Sequence, residues 1–279
     1  MKKTLFLLAC IIALIVGCYT QLQRAPSEVE LINKDISSNP SAGGRRDRVR
    51  CRAFYIDPIN GSMENPGTSD FPWRTLEEVV KNNMIETKDR HGKAINPGAP
   101  IHAGDTIILR SGFHGHIQIK NAFNDKKITV TSDNGADPRL AELELISVKN
   151  WSFSGLTISP EFSDKAIRTN YIAVLGDNGY LGNSSNIDLI NSHIFTFSNP
   201  ETLSNEDWKM AKTGVLLGRN ATNLRVRNNF IQSTEFGISA AAPESIVEGN
   251  IVTDFSKDGI RLISSNTIVK YNVIKNKYM

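Results

Sequence analysis

Five stretches of the chain place apolar residues at fixed positions of one eight-residue template. They are WSFSGLTI (Trp151 to Ile158), IDLINSHI (Ile187 to Ile194), LRVRNNFI (Leu224 to Ile231), SIVEGNIV (Ser245 to Val252) and TIVKYNVI (Thr267 to Ile274). The third position is Phe153, Leu189, Val226, Val247 and Val269; the eighth is Ile158, Ile194, Ile231, Val252 and Ile274. Successive starts lie 36, 37, 21 and 22 residues apart. A fixed short period with apolar positions held in register marks a solenoid, in which each repeat buries its face against its neighbours. The alternating, β-branched runs are three to five residues long and broken by Asn and Gly, which predicts short strands rather than helices.

A second motif falls between the octapeptides: Gly214-Val-Leu-Leu, Gly237-Ile-Ser-Ala and Gly259-Ile-Arg-Leu. Each coil therefore holds a Gly-Val/Ile strand, the octapeptide's strand, a turn at its polar middle and a third short strand. Three strands and three turns in about 22 residues match one turn of a parallel β-helix. The sixth template position is Asn229, Asn250 and Asn272 in the last three coils. That recurrence predicts stacked side-chain amides at one turn, in a left-handed or bridge backbone conformation that Asn tolerates.

These motifs carry a resemblance. With the opening Phe54-Tyr-Ile-Asp-Pro-Ile-Asn-Gly61, the Trp73-Arg-Thr-Leu-Glu-Glu-Val-Val80 segment and Gly104-Asp-Thr-Ile-Ile-Leu109, the chain resembles the right-handed parallel β-helix superfamily of pectate lyases. The resemblance spans roughly residues 53 to 279. It implies an all-β, single-stranded right-handed parallel β-helix with three short strands per coil and a short N-terminal capping helix. The superfamily holds lyases, hydrolases, epimerases and adhesins, so the fold does not choose among chemistries.

The N-terminus follows another pattern. Lys2-Lys3 precede an apolar run from Leu5 to Val16, too short to span a bilayer stably and suited to a signal peptide. Ile15-Val-Gly-Cys18 matches the bacterial lipobox, which predicts a signal peptide over 1–17 and a lipid on Cys18. Residues 18–52 read as a flexible tether, with Ser37-Ser-Asn-Pro-Ser-Ala-Gly-Gly44 and an arginine-rich stretch from Arg45 to Arg52. The β-helix domain then runs over 53–279. The expected location is the bacterial cell envelope, at the outer membrane or cell surface. The last octapeptide ends five residues before Met279 without a recognisable closing segment, so the domain is expected to be incomplete there.

Charge excludes one class. The formal net charge is +3, and removing Lys2 and Lys3 with the leader leaves +1, too little to attract nucleic acid. Of three cysteines, Cys10 leaves with the leader, Cys18 takes the lipid, and Cys51 stays alone, so no internal disulfide forms.

Strand alternation then locates candidate chemistry. If Ile260 and Leu262 face inward, Lys257, Gly259 and Arg261 face out; the matching outward residues one coil earlier are Glu235, Gly237 and Ser239. Glu235 is expected beside Lys257, and Ser239 beside Arg261. On one extended strand Lys257 and Arg261 would stand about 13 Å apart. The long spacings put extra residues at about 159–170 and 196–212, loops that can wall a groove; the second carries Trp208 and Lys209, suited to stacking on and hydrogen-bonding a sugar. For a lyase acting on a uronic acid, the resemblance implies a Lys or Arg base, often beside calcium. Lys257, Arg261 and Asp258 are the candidate catalytic residues, Trp208, Lys209 and Glu235 the candidate substrate contacts, and Asp254 with Glu235 the candidate Ca2+ ligands. A hydrolase would need two carboxylates at a defined separation, and Asp254 and Asp258 are available. His114 and His116 lie two apart on one expected face, and His193 interrupts an octapeptide.

The signatures of individual families are mostly absent. No Asp-Pro-His-Asp run of the alginate epimerases occurs, and Lys257-Asp-Gly-Ile resembles a polygalacturonase segment without the Gly-His-Gly and Arg-Ile-Lys that should follow. The expected function is a tethered carbohydrate-active protein, either a polysaccharide lyase or related epimerase or glycosidase, or a non-catalytic glycan-binding or adhesin-like surface protein.

Overall fold

The computed structural model describes residues 51–277. The leader, Cys18 and most of the tether lie outside the described residues.

The described chain is a right-handed parallel β-helix. Its first face stacks the beginnings of two long strands, His116–Ser132 and Glu142–Ser154, with Tyr171–Gly176, Thr213–Leu217, Ile238–Ala240 and Ile260–Leu262. The second face stacks Ala53–Ile56, Thr106–Leu109, the ends of those two long strands, Ser185–Ile190, Thr222–Arg227, Ile246–Glu248 and Ile268–Lys270. Because the long strands bend from one face into the next, these two faces form a single 14-stranded sheet. The third face is a separate seven-stranded sheet ending in Phe230–Thr234, Ile251–Phe255 and Val273–Lys275.

Register explains the octapeptide. Phe153, Leu189, Val226, Val247 and Val269 pair in one column, and Ile158, Ile194, Ile231, Val252 and Ile274 in another. All are fully buried except the last of each, Val269 and Ile274, which are 37% and 49% exposed in the last described coil. Each fully buried member contributes about 1.5–3 kcal/mol by leaving water.

The two polar features have separate causes. Asn229 Nδ2 donates to Asn250 Oδ1 at 3.0 Å, and Asn250 Nδ2 to Asn272 Oδ1 at 2.9 Å, so the expected amide ladder forms. The left-handed backbone does not belong to these asparagines. It falls one residue earlier, at Gly155, Asn191, Asn228, Gly249 and Tyr271, with φ between 51° and 71°. The fifth residue turns the chain, and that turn points the sixth side chain along the axis. The motif glycines answer a different demand: a Cβ on Gly237 would sit 2.3 Å from Val252 Cγ1 and 2.4 Å from the Gly259 carbonyl oxygen. Only a bare Cα lets the third face pass into the first there.

The expected helix spans Leu76–Lys81. The Thr75 side chain accepts from the Glu78 amide at its N-terminus, and Leu76 and Val79 are buried against the strand that starts at His116. Both predicted insertions leave the coil between the third and first faces. Residues 159–170 contain the 3₁₀ turn Pro160–Phe162, and residues 196–212 contain the 3₁₀ turn Pro200–Thr202 and the helix Asn205–Met210. The Ser198 amide donates to Glu161 Oε2 at 3.1 Å, tying one insertion to the other.

Candidate functional site

The expected neighbours Glu235 and Lys257 meet. Glu235 Oε1 lies 2.5 Å from Lys257 Nζ, and Glu235 Oε2 accepts from Asn170 Nδ2 at 2.9 Å and Thr213 Oγ1 at 3.4 Å. Lys212 Nζ donates to the same Asn170 at 3.3 Å, so the ends of both insertions reach this point. Ser239 pairs with Arg261 as expected. Between the two cations lies Phe236: Lys257 Nζ stands 5.2 Å and Arg261 Cζ 5.1 Å from its ring centroid. The two charges are therefore closer than the ~13 Å of an extended strand. The reason is local: residues 256–258 bend, so Lys257 and Arg261 lie on either side of a corner.

Other expected members are placed differently. Asp258 is exposed and uses its backbone carbonyl to accept from the Gly237 amide at 3.0 Å; its carboxylate forms no ion pair among the described residues. Asp254 adopts φ 53° within Ile251–Phe255 on the third face, whereas Glu235 stands at the entrance to the first. The two candidate Ca2+ ligands thus come from different elements, and Glu235 already has three protein partners. Among the described residues no group of three or more His, Cys, Asp or Glu side chains is placed to hold a metal ion. Lys209 Nζ is taken by Glu206 at 2.6 Å within the short helix that also carries Trp208. The ring that the cations share is Phe236, which sequence alternation left out because it falls in a corner.

A second cluster on the same face escaped the sequence reading. His116 pairs with Glu142 in register, and Gln118 with Glu144, so four polar side chains point outward from adjacent coils. Insertion 159–170 folds over them and leaves a cleft of about 350 Å³, lined by Glu77, Lys81, His116, Gln118, Glu142, Lys165 and Arg168 among others. The Glu142 side chain is only 4% exposed. Its Oε2 accepts from the Arg168 amide at 3.1 Å, and its Oε1 lies 3.6 Å from Arg168 Nε and 3.2 Å from His116 Nδ1. Glu144 accepts from Gln118 and sits 3.6 Å from Arg168 Nη2 and 3.7 Å from Lys120 Nζ. Burying a carboxylate costs heavily unless it is paired and hydrogen-bonded, and both requirements are met here. The available signal was the alternation Glu142-Leu-Glu-Leu145, which puts two acids on the outside of an otherwise apolar strand.

The other two histidines singled out in the sequence, His114 and His193, are held inside the packing. His114 and His116 do not share a face, because Gly115 takes φ 98° and breaks the alternation. His114 turns into the core, hydrogen-bonds the Arg110 carbonyl at 2.7 Å, and is held by burial at a pKa of about 4. His193 packs between Phe195 and Phe230, with centroids 4.6 and 4.9 Å away; burial lowers its pKa against the opposing pull of Asp137.

No protein-family model matches the chain, and no curated protein matches its sequence. Among solved structures it is similar to pectate lyase Pel9A, with a TM-score of 0.52 and 16% identity over 82% of this chain and 55% of that one. The chain therefore spans about half the length of that lyase, and the likeness is one of fold. A rhamnogalacturonan lyase aligns over 80% of this chain and 68% of its own, with 12% identity and a TM-score of 0.34.

Proposed function

We propose that this β-helix is a carbohydrate-active protein that holds a uronic-acid-containing glycan on its first face and cleaves it by β-elimination at the Glu235–Lys257–Arg261 platform. The observation that carries this reading is the pair of cations flanking Phe236 beside a fixed carboxylate. Phe236 holds the two cations at one place, and Arg261 supplies a charge that meets the uronate carboxylate and acidifies the adjacent C5 proton. Lys257 was the expected base. Within its ion pair with Glu235 the lysine is the cation and the carboxylate the base, so Glu235 takes the C5 proton and Lys257 protonates the leaving oxygen. Asn170 and Thr213 fix Glu235 from the other side, which orients it for the transfer. No step is routed through calcium, since Glu235, one of its two candidate ligands, is held by Lys257, Asn170 and Thr213.

The lipobox ending at Cys18 supports tethering of the domain to the bacterial envelope through a lipid, with the 18–52 segment as spacer. Cys18→Ser is expected to lose lipid labelling and to leave the membrane fraction. The chemistry is tested by incubating the full-length chain with acidic and neutral polysaccharides and weighing the products. Fragments with an unsaturated end are expected, and Glu235→Gln is expected to reduce their rate by about 10²–10⁴-fold. Fragments that gained water would make the protein a hydrolase. Uncut glycan that stays bound would leave only the binding reading.

A further inference from the structure

The cleft under insertion 159–170 holds a second constellation. Ser163 Oγ lies 2.9 Å from His116 Nε2, and His116 Nδ1 lies 3.2 Å from Glu142 Oε1. The three side chains come from three separate places: the insertion, the start of His116–Ser132 and the start of Glu142–Ser154. Each is fixed by something else. The Lys165 amide donates to Ser163 Oγ at 3.1 Å, which leaves the hydroxyl proton for the imidazole. Glu142 is buried and clamped by the Arg168 amide and guanidinium. Phe113 meets the His116 ring edge-on, with centroids 6.5 Å apart.

We propose that Ser163, His116 and Glu142 form an acyl-transfer triad and that this cleft hydrolyses small carboxylic esters, such as an O-acylated sugar. A nucleophile, a base within hydrogen-bond reach of it, and a buried carboxylate on the base's other nitrogen define that chemistry by geometry, whatever their order in the chain. The order here is His116, Glu142, Ser163. Ser163 Oγ bonds the ester carbonyl carbon while its proton passes to His116 Nε2, and the carbonyl π pair moves onto oxygen. Lys165 lines the cleft, forms no ion pair among the described residues, and is the cation assigned to that oxyanion. Collapse breaks the bond to the alcohol oxygen, which takes the proton from His116. Water then attacks the Ser163 ester, gives one proton to His116 and releases the acid as that proton returns to Oγ. Glu142 holds Nδ1–H and offsets the charge on the imidazolium. A volume of about 350 Å³ accommodates an acyl group with part of its carrier.

The test treats the full-length chain with a fluorophosphonate probe and sequences its peptides by mass spectrometry. One adduct is expected, on Ser163, and it is expected to disappear in His116→Asn. Hydrolysis of p-nitrophenyl acetate is expected to fall at least 10³-fold in Ser163→Ala, a change at a half-buried position that leaves the buried Glu142 and its Arg168 contacts in place. A serine with only a structural role would move none of these readouts. Folded protein that leaves Ser163 unlabelled, or a Ser163→Ala variant that keeps the wild-type rate, overturns the triad. Released acid and unsaturated sugar are different products, so failure here and failure of the lyase reading are separable.

Discussion

Replacing Asn250 with alanine isolates the contribution of the amide ladder. Asn250 is fully buried, and its side chain serves four partner groups. Its Oδ1 accepts from the Asn229 amide and from Asn229 Nδ2, both at 3.0 Å; its Nδ2 donates to the Val226 carbonyl and to Asn272 Oδ1, both at 2.9 Å. Alanine leaves all four without that partner. Each buried group so abandoned costs about 1–3 kcal/mol, and partial relaxation plus water at the Asn272 end bring the expected total to about 3–5 kcal/mol. Asn272→Ala is the internal comparison. It removes the same kind of bonds, but beside the exposed last coil, where water can replace them, so the cost is expected to be about 1–2 kcal/mol. Urea denaturation gives the stabilities. Because a solenoid can open coil by coil, hydrogen exchange at the Asn229 amide reports the local loss directly. Asn250→Ala within about 0.5 kcal/mol of wild type, or no more damaging than Asn272→Ala, would refute the ladder as a source of stability.

Three further outcomes are expected. Gly237→Ala forces a Cβ into Val252 and the Gly259 carbonyl, so it should cost about 1–3 kcal/mol or more in a denaturant melt, whereas Gly179→Ala, with open space around it, should be neutral. His114, held near pKa 4 by burial against an ordinary 6.5, binds its proton less readily folded than unfolded. Its stabilising effect is therefore full above about pH 6.5 and is lost as pH falls toward 4, by about 3 kcal/mol; stability measured against pH should show that loss in wild type and not in His114→Gln, and parallel curves would exclude it. Phe236→Ala removes the ring between Lys257 and Arg261 and should weaken binding of an acidic polysaccharide about five-fold or more by calorimetry, while neutral glycans that still stack equally well would point to another surface.

What the sequence determined by itself is whatever repeats. The columns of Phe153 and Ile158, the glycines at the start of the last three first-face strands, the Asn229–Asn250–Asn272 ladder and the pairing of Glu235 with Lys257 all follow from a fixed coil length. In such a fold, residues one period apart must become neighbours at strand spacing. Tertiary structure decided whatever departs from the period. The bend at residues 256–258 brings Lys257 and Arg261 to one ring, and the break at Gly115 separates His114 from His116. It also placed Asp254 on the third face and Glu235 at the entrance to the first, where Lys257, Asn170 and Thr213 hold it. The Ser163–His116–Glu142 cluster depends on an insertion folding back over two early coils. Those coils follow no template, and a loop's landing point is set by its own turns and capping contacts, which no spacing along the chain encodes.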